Sequence, residues 1–488
     1  MIPTRAEIRR AYDAGYEAVV VLIDEALADF VERLKAQETR LKTQESRLAE
    51  LERRLSQNSQ NSSKPPSSDG FNRPSPRSQR KKSKRHSGGQ PGHPGTTLAM
   101  VNEADHVIEH WPACCESCGM GLEEKATGAE RRQVFDVPPV RLEITEHRAM
   151  AVRCAQCGVL TRGAFPEEVK PGAQYGKQVM GIGVYALVHQ LLPLERTREL
   201  MWDLLGIRPS EGTLVNWVEA SRERIAPIEA EIKAAIKRAP VVNLDETGAR
   251  IEKRTYWLHV ASTPSLTYYV FDWARAGKAF DRVGILPGFA GVGVHDALPS
   301  YLVRDFKHSL CNAHLLRDLT GLEETTRQRW PTRMKRLLIT MRDAVKAAVE
   351  RGENHLRSGV QQRLEAEYDR LVKRALRTNP GPIRVPGQVG RARASPAWNI
   401  AERLRRHKDA VLRFLRDFSV PFDNNLAERD LRMSKVKQKV SGCFRSLVGA
   451  QCYATIRGFI STAKKQGVTA LEALRAVLEG RPLALSMG

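Results

Sequence analysis

Apolar residues follow different rhythms along this chain, and each change of rhythm predicts a change of element. From Val20 they recur every seven residues, at Leu27, Leu34, Leu41, Leu48 and Leu55, with Ile23, Phe30 and Leu51 in the intervening seam and Gln37 and Gln44 interrupting it. Charged residues such as Glu32, Arg33, Lys35, Arg40, Glu45 and Arg47 flank the stripe. Heptads of this kind predict a coiled-coil helix, in which buried glutamines cost stability but fix register and partner number. The competing reading is an amphipathic helix packed on its own chain. Over 133–152 the apolar positions alternate instead (Val134, Phe135, Val137; Leu142, Ile144, Ala149, Val152), which predicts strands. Helical spacing returns over 175–237. There 194–205 reads as a helix, Gly206-Ile207-Arg208-Pro209 as a turn and Ser210 as the cap of a second helix through Trp217. That shape suits a helix-turn-helix and a plain αα-hairpin equally.

Short β-prone runs follow at 241–244, 256–261 and 266–271, then a helix at 278–286 and further strands at 291–294 and 306–311. A three-strand meander, a helix and another acid-bearing strand is the order of a ribonuclease H-like core. Residues 317–408 are charged and mostly helical, with Pro380-Gly381-Pro382 and Pro386-Gly387 loops, and read as an insertion. Helices at 426–433, 453–465 and 471–478 close the chain. The expected fold class is therefore multidomain α+β. Its expected parts are a coiled-coil helix (1–57), a disordered basic linker (58–96), a zinc ribbon (97–170) and a helical, helix-turn-helix-like region (171–238). A ribonuclease H-like core follows (239–316), then an all-helical insertion (317–419), the end of the core (420–445) and C-terminal helices (446–488).

Charge turns this outline towards nucleic acid. The 488 residues carry a formal net charge of +22, which points to a polyanionic partner, and 41% hydrophobic content is ample for sizeable cores. No apolar run reaches the roughly 18–20 residues of a membrane span. The start, Met1-Ile2-Pro3-Thr4-Arg5, lacks a signal peptide's apolar stretch, so a cytoplasmic location is expected. The linker can bury little apolar area to offset its ordering entropy, and its Arg80, Lys81, Lys82, Lys84 and Arg85 are suited to phosphates without fixed geometry. Four of eight cysteines form two C-x2-C pairs, Cys115/Cys118 and Cys154/Cys157, each followed by a glycine (Gly119, Gly158). Paired knuckles predict tetrahedral sulfur ligation of a structural Zn²⁺, with Cys114 an extra thiol.

Three acids complete the picture. Asp245 follows Val241-Val242-Asn243-Leu244 at an expected strand end before a glycine turn, Asp296 follows Gly291-Val292-Gly293-Val294-His295, and Glu428 opens a basic helix after Asp423-Asn424-Asn425. Two-metal phosphoryl transfer needs carboxylates that hold two cations about 3.5–4 Å apart, and Mg²⁺ suits hard oxygen ligands. Asp245 and Asp296 would be neighbours if their strands pair in parallel. Arg432 at i+4 and Lys435 at i+7 share Glu428's helix face and could hold DNA phosphates. Glu246 and His295 should point to the opposite face by strand alternation. Cys311-x2-His314 reads as half a metal site or as a buried core thiol with a nearby surface histidine.

The chain resembles the transposases of the insertion sequence 66 family over essentially its whole length. The matching stretches are the heptads, Gln57-Asn58-Ser59-Gln60-Asn61-Ser62-Ser63-Lys64-Pro65-Pro66-Ser67-Ser68-Asp69-Gly70, the glycine-proline run from Gly88 to Gly95 and the paired knuckles. They continue through Asp245-Glu246-Thr247, His295-Asp296, Cys311-x2-His314-Leu315-Leu316-Arg317 and Asn424-Asn425-Leu426-Ala427-Glu428-Arg429. The resemblance implies a DDE catalytic domain of ribonuclease H-like fold, cut or joined DNA ends and a need for Mg²⁺ (or Mn²⁺), with Asp245, Asp296 and Glu428 as the three acids. Expected partners are double-stranded DNA (element ends and target) and further copies of the chain through the coiled coil, with accessory proteins of the same element left open and no membrane; the expected setting is a bacterial nucleoid. Two rivals stand beside it: a zinc-ribbon DNA-binding regulator with an inert core, and a nuclease that only hydrolyses.

Overall fold

The computed structural model describes residues 3–62, 98–138, 140–170, 172–382, 392, 394–481 and 483–487; the tether cations Arg80, Lys81, Lys82, Lys84 and Arg85 lie outside these. Helix α1 (Arg5–Ala14) starts at a reciprocal cap, in which Thr4 Oγ1 accepts the Glu7 N–H and Glu7 accepts the Thr4 N–H. Gly15, at φ 110°, breaks the chain direction before α2, a single helix of 41 residues (Tyr16–Ser56). Its apolar stripe, including Leu27, Phe30, Leu34 and Leu41, stays exposed, so nothing among the described residues covers it. The tether was expected to begin at residue 58. Residues 58–62 instead form a turn, because the Asn61 amide donates both to Ser56 O at the helix end and to Glu324 of a distant helix.

The strands expected across 133–149 do not form. Val134 and Ile144 stand 94% and 88% exposed, and alternation without an opposing apolar face supplies nothing to pair against. The two strands present, β1 (Ala151–Arg153) and β2 (Leu160–Arg162), are the antiparallel arms of the second knuckle. Helix α3 (Lys177–Val184) then runs into a π-helical turn (Tyr185–His189), followed by α4 (Leu194–Leu205) and α5 (Glu211–Arg238). Gly206 ends α4 in the left-handed region and Ser210 caps α5 by accepting the Thr213 N–H. Helix α5 continues well past Trp217, burying Ile225, Ile232 and Ile236 on one face, and carries the chain to the sheet.

The sheet contains β3 (Val241–Ile251), β4 (Arg254–Ser262), β5 (Thr267–Asp272), β6 (Val292–His295) and β7 (Lys307–Leu310), in the order β5-β4-β3-β6-β7. The first three form an antiparallel meander, and β6 and β7 run parallel to β3. Glu252 and Lys253, both at positive φ, make the tight β3–β4 turn. Helix α6 (Lys278–Val283) lies between β5 and β6, and α7 (Pro299–Leu302) between β6 and β7.

From β7 the chain enters α8 (Asn312–Thr325), α9 (Trp330–Glu350), α10 (Ser358–Thr378), α11 (Pro396–Arg406), α12 (Lys408–Val411) and α13 (Arg413–Arg416). These helices bury their own cluster around Leu319, Met334, Leu338, Tyr368 and Leu404. The chain returns to the sheet in α14 (Asn425–Ser441), which packs on β3 and β4, α15 (Leu447–Lys465), which packs on β5 and α5, and α16 (Ala470–Glu479), which packs on α3. Among the described residues no helix is long and apolar enough to cross a membrane.

Candidate active site and metal-binding residues

The position of Asp245 follows from strand pairing. Strand β3 meets β6 in parallel at Val241↔Val292, Val242↔Gly293 and Asn243↔Val294. Two residues further along each chain, Asp245 and Asp296 stand at the same level. Asp245 was expected at a strand end before a glycine turn, but β3 continues six residues beyond it and Gly248 pairs with Trp257. The hairpin with β4 holds β3 extended; what ends before Asp245 is the pairing with β6. On the β6 side Asp245 therefore lies just past the last paired residues, level with Asp296. Alternation sends Glu246 to the other face, where Arg275 Nε (2.9 Å) and the Tyr301 hydroxyl (3.0 Å) donate to it. His295 is buried on that side too, hydrogen-bonded to His308 at 3.1 Å and tilted against the Tyr301 ring.

Glu428 sits in the first turn of α14, and a buried asparagine pair fixes that turn. Asn243 of β3 donates to Asn424 Oδ1 and Asn424 Nδ2 donates to Leu244 O, both at 2.8 Å. The Asn424 N–H donates to Cys311 Sγ at 3.1 Å, while its carbonyl accepts from Glu428 N. Asn424 thus ties the strand of Asp245, the end of β7 and the helix of Glu428 together, across more than a hundred residues of inserted sequence. Farther along α14, Asp430 accepts from Ser262 (2.6 Å), Thr267 (3.3 Å) and Lys465 (2.8 Å).

The charges around these acids are unbalanced. Burial raises the Asp245 carboxyl well above its ordinary value, and Glu246, Asp296 and Glu428 push it further up against a lowering backbone N–H. Glu428 is also raised, by burial first and by Asp423 and Asp296, while Arg317 and Lys435 pull it down. Its Oε1 is buried without a hydrogen bond; Arg317 Nη2 stands 3.7 Å away and His314 Nδ1, also unpartnered, 3.8 Å away. His314 is not the surface histidine expected: burial and the Arg317 and Arg403 charges push it down to about 3, so it is neutral at pH 7. Cys311 is buried and its thiol is pushed up to about 12. Arg432 is exposed on α14 and Lys435 half-buried.

Both knuckles have the turn their chemistry needs. Gly119 and Gly158 each adopt φ 74°, and their N–H groups donate to Cys115 O and Cys154 O. Backbone N–H groups of Cys118 and Ser117 lower the Cys115 thiol, and those of Cys157 and Gln156 lower Cys154. Cys114 instead makes a bridge to Gly121, away from that pattern. Among the described residues the one group of three or more ligand side chains whose donor atoms lie within 4.8 Å of each other is Cys311, His314 and Glu428. The four knuckle thiols, and Asp245, Asp296 and Glu428, are not drawn that close together as sets.

A model of the transposase IS66 family matches residues 172–452, from just before α3 into α15, more than half of the chain. The chain belongs to this family. The zinc-finger binding domain of transposase IS66 matches residues 112–158, which include all four knuckle thiols. A family of unknown function matches 3–99, spanning α1 and α2. Two uncharacterized proteins of Sinorhizobium fredii, y4qI and y4jD, are each 23% identical, over 78% and 77% of this chain and 72% and 76% of their own lengths. The transposase-family match contains all three acids and the whole insertion, and it makes the chain a nucleic-acid-acting transposase by family.

Sequence reasoning missed Asn243, Asn424, Arg275 and Arg317. The signal for Asn243 was a polar residue inside an otherwise apolar strand run, where a buried amide needs a specific partner. Asn424 read as part of a helix start and of the Asn424-to-Arg429 stretch, with no role of its own. Arg317 stood at the end of the Cys311-x2-His314-Leu315-Leu316-Arg317 stretch without being given a role, and Arg275 carried no pattern that separates it from the many other arginines.

Proposed function

We propose that this IS66-family chain is a DDE transposase whose ribonuclease H-like core cuts the ends of its element and joins them to target DNA. The observation that carries the reading is the asparagine clamp, which brings the helix of Glu428 against the strand of Asp245 at the level of Asp296. The sheet order and the return of the chain through α14 support the core assignment. The donor set fits hard divalent cations: oxygen ligands only, one buried oxygen without a partner, and mutual repulsion that a cation would relieve. When bound to Asp245, Asp296 and Glu428, Mg²⁺ (or Mn²⁺) supplies Lewis acidity to the attacking and leaving oxygens.

The chain's own residues do the rest. Asn424 and Asn243 hold the acids in register, and Arg432 and Lys435 line the Glu428 helix as cations for DNA phosphate. A water oxygen attacks the phosphodiester at the element end and the 3′ oxygen leaves with a proton. That 3′-hydroxyl then gives up its proton and attacks a target phosphodiester at the same site, breaking its P–O3′ bond and releasing the target strand's 3′ end as a hydroxyl, with no protein–DNA covalent bond. The knuckle thiols would hold a structural Zn²⁺, and the knuckles, the basic tether and the α4–α5 pair would bind terminal DNA. The exposed stripe of α2 would pair copies of the chain so that two ends are processed together. Incubating the full chain with Mg²⁺, labelled end DNA and a target plasmid tests the reading: nicked ends and joined products are expected. Nicks without joining would leave a nuclease, and binding without nicks a regulator.

A further inference from the structure

The junction of β7 with α8 brings two ligands to the Glu428 oxygen that the carboxylate chemistry does not use. Cys311 lies between β7 and α8, 1% exposed, with its sulfur already accepting the Asn424 N–H, a contact that stabilises a thiolate ligand. One turn on, His314 directs Nδ1 at Glu428 Oε1, 3.8 Å away, and both atoms are buried without hydrogen bonds. All three donor atoms lie within 4.8 Å of each other. In a tetrahedral zinc site with bonds of about 2.0–2.3 Å the donors stand roughly 3.3–3.8 Å apart, so side-chain adjustment alone closes the set. Sulfur and imidazole donors select Zn²⁺ and its class over Mg²⁺.

We propose that Cys311, His314 and Glu428 form a thiophilic metal site, separate from the knuckles, that takes Zn²⁺ and draws Glu428 away from Asp245 and Asp296. Zinc then binds in competition with the divalent ion of catalysis, displacing Arg317 as the nearest positive group to Glu428. The metal site itself stands on the three donors; its inhibitory consequence rests on the catalytic reading of Glu428.

Zinc bound to full-length protein after dialysis, and Co²⁺ substitution read by thiolate absorption, test it. Cys311→Ser and His314→Gln should each bind about one equivalent less than wild type. With Cys115→Ser/Cys118→Ser removing the knuckle site, the Co²⁺–thiolate band should persist and then vanish on adding Cys311→Ser. Wild-type metal content in a folded His314→Gln protein would overturn the proposal even if Cys311→Ser fails to fold. Glu428→Gln separates the two claims: lost cleavage with unchanged zinc overturns this inference alone, and lost zinc with full cleavage overturns the catalytic role alone.

Discussion

A carboxylate serves a divalent ion only while it is ionised, and burial works against that at Asp245. Its folded value lies well above the ordinary one, through burial and the neighbouring acids. The sign follows by linkage: a raised folded value stabilises the protonated chain, and that stability is lost as pH rises through the folded value. Without divalent ions, the melting temperature of the wild type should therefore fall as pH rises from the ordinary carboxylate range towards neutrality. Asp245→Asn should flatten that slope and melt higher at neutral pH. Adding Mg²⁺ at a hundred times its Kd should stabilise the wild type by about 2.7 kcal/mol and the variant less. Identical pH and Mg²⁺ responses in the two proteins would count against a carboxylate site here. Asn424 acts through position instead. Asn424→Ala removes the partners of Asn243 and Leu244 O, which should cost about 1–3 kcal/mol in urea unfolding and lower cleavage with it.

Among the elements, α14 depends most on buried polar contacts. Asp430 joins it to β4, β5 and α15 through Ser262, Thr267 and Lys465, with the ion pair almost fully buried. Asp430→Ala leaves the Lys465 ammonium with only the Thr263 and Leu266 carbonyls and no opposing charge, and should destabilise by about 3–5 kcal/mol in denaturant unfolding; a loss under 1 kcal/mol would show that water reaches the pair. The entry to β6 depends on close approach. A Cβ at Gly291 would lie 2.6 Å from Ala239 O and 2.8 Å from the Phe289 ring, so a side chain there must displace backbone. These elements differ in how far the sequence disclosed them. The strands of the sheet and the helices of the insertion were legible, because apolar runs and helical spacing report local burial. The length of β3 past Gly248 was not, since glycine signals a turn unless a hairpin partner such as Trp257 pairs it. Strands across 133–149 were over-read, because alternation shows that a strand is compatible and not that a partner exists. Glu428 was placed on a helix by its motif, but the contact to β3 rests on Asn243 and Asn424, two amides whose pairing over 181 residues has no local signal.

For the whole molecule, the proposed function requires DNA ends to reach the three acids and copies of the chain to pair. The α2 stripe leaves Leu27, Leu34 and Leu41 each about half exposed, an expensive surface for one chain to show water. If the stripe pairs copies of the chain, Leu27→Glu/Leu34→Glu should lower the mass measured by sedimentation at micromolar concentration to that of a monomer; an unchanged mass would rule the stripe out as that contact. The central claim is that Asp245, Asp296 and Glu428 act as one site on DNA. Its most direct test is Mg²⁺-dependent cleavage of element-end DNA by Asp245→Asn, Asp296→Asn and Glu428→Gln, each first shown to bind that DNA as the wild type does. Loss of several kcal/mol of charge stabilisation predicts a fall of about 10²–10³-fold or more for each. Wild-type cleavage by any one of the three would contradict the account.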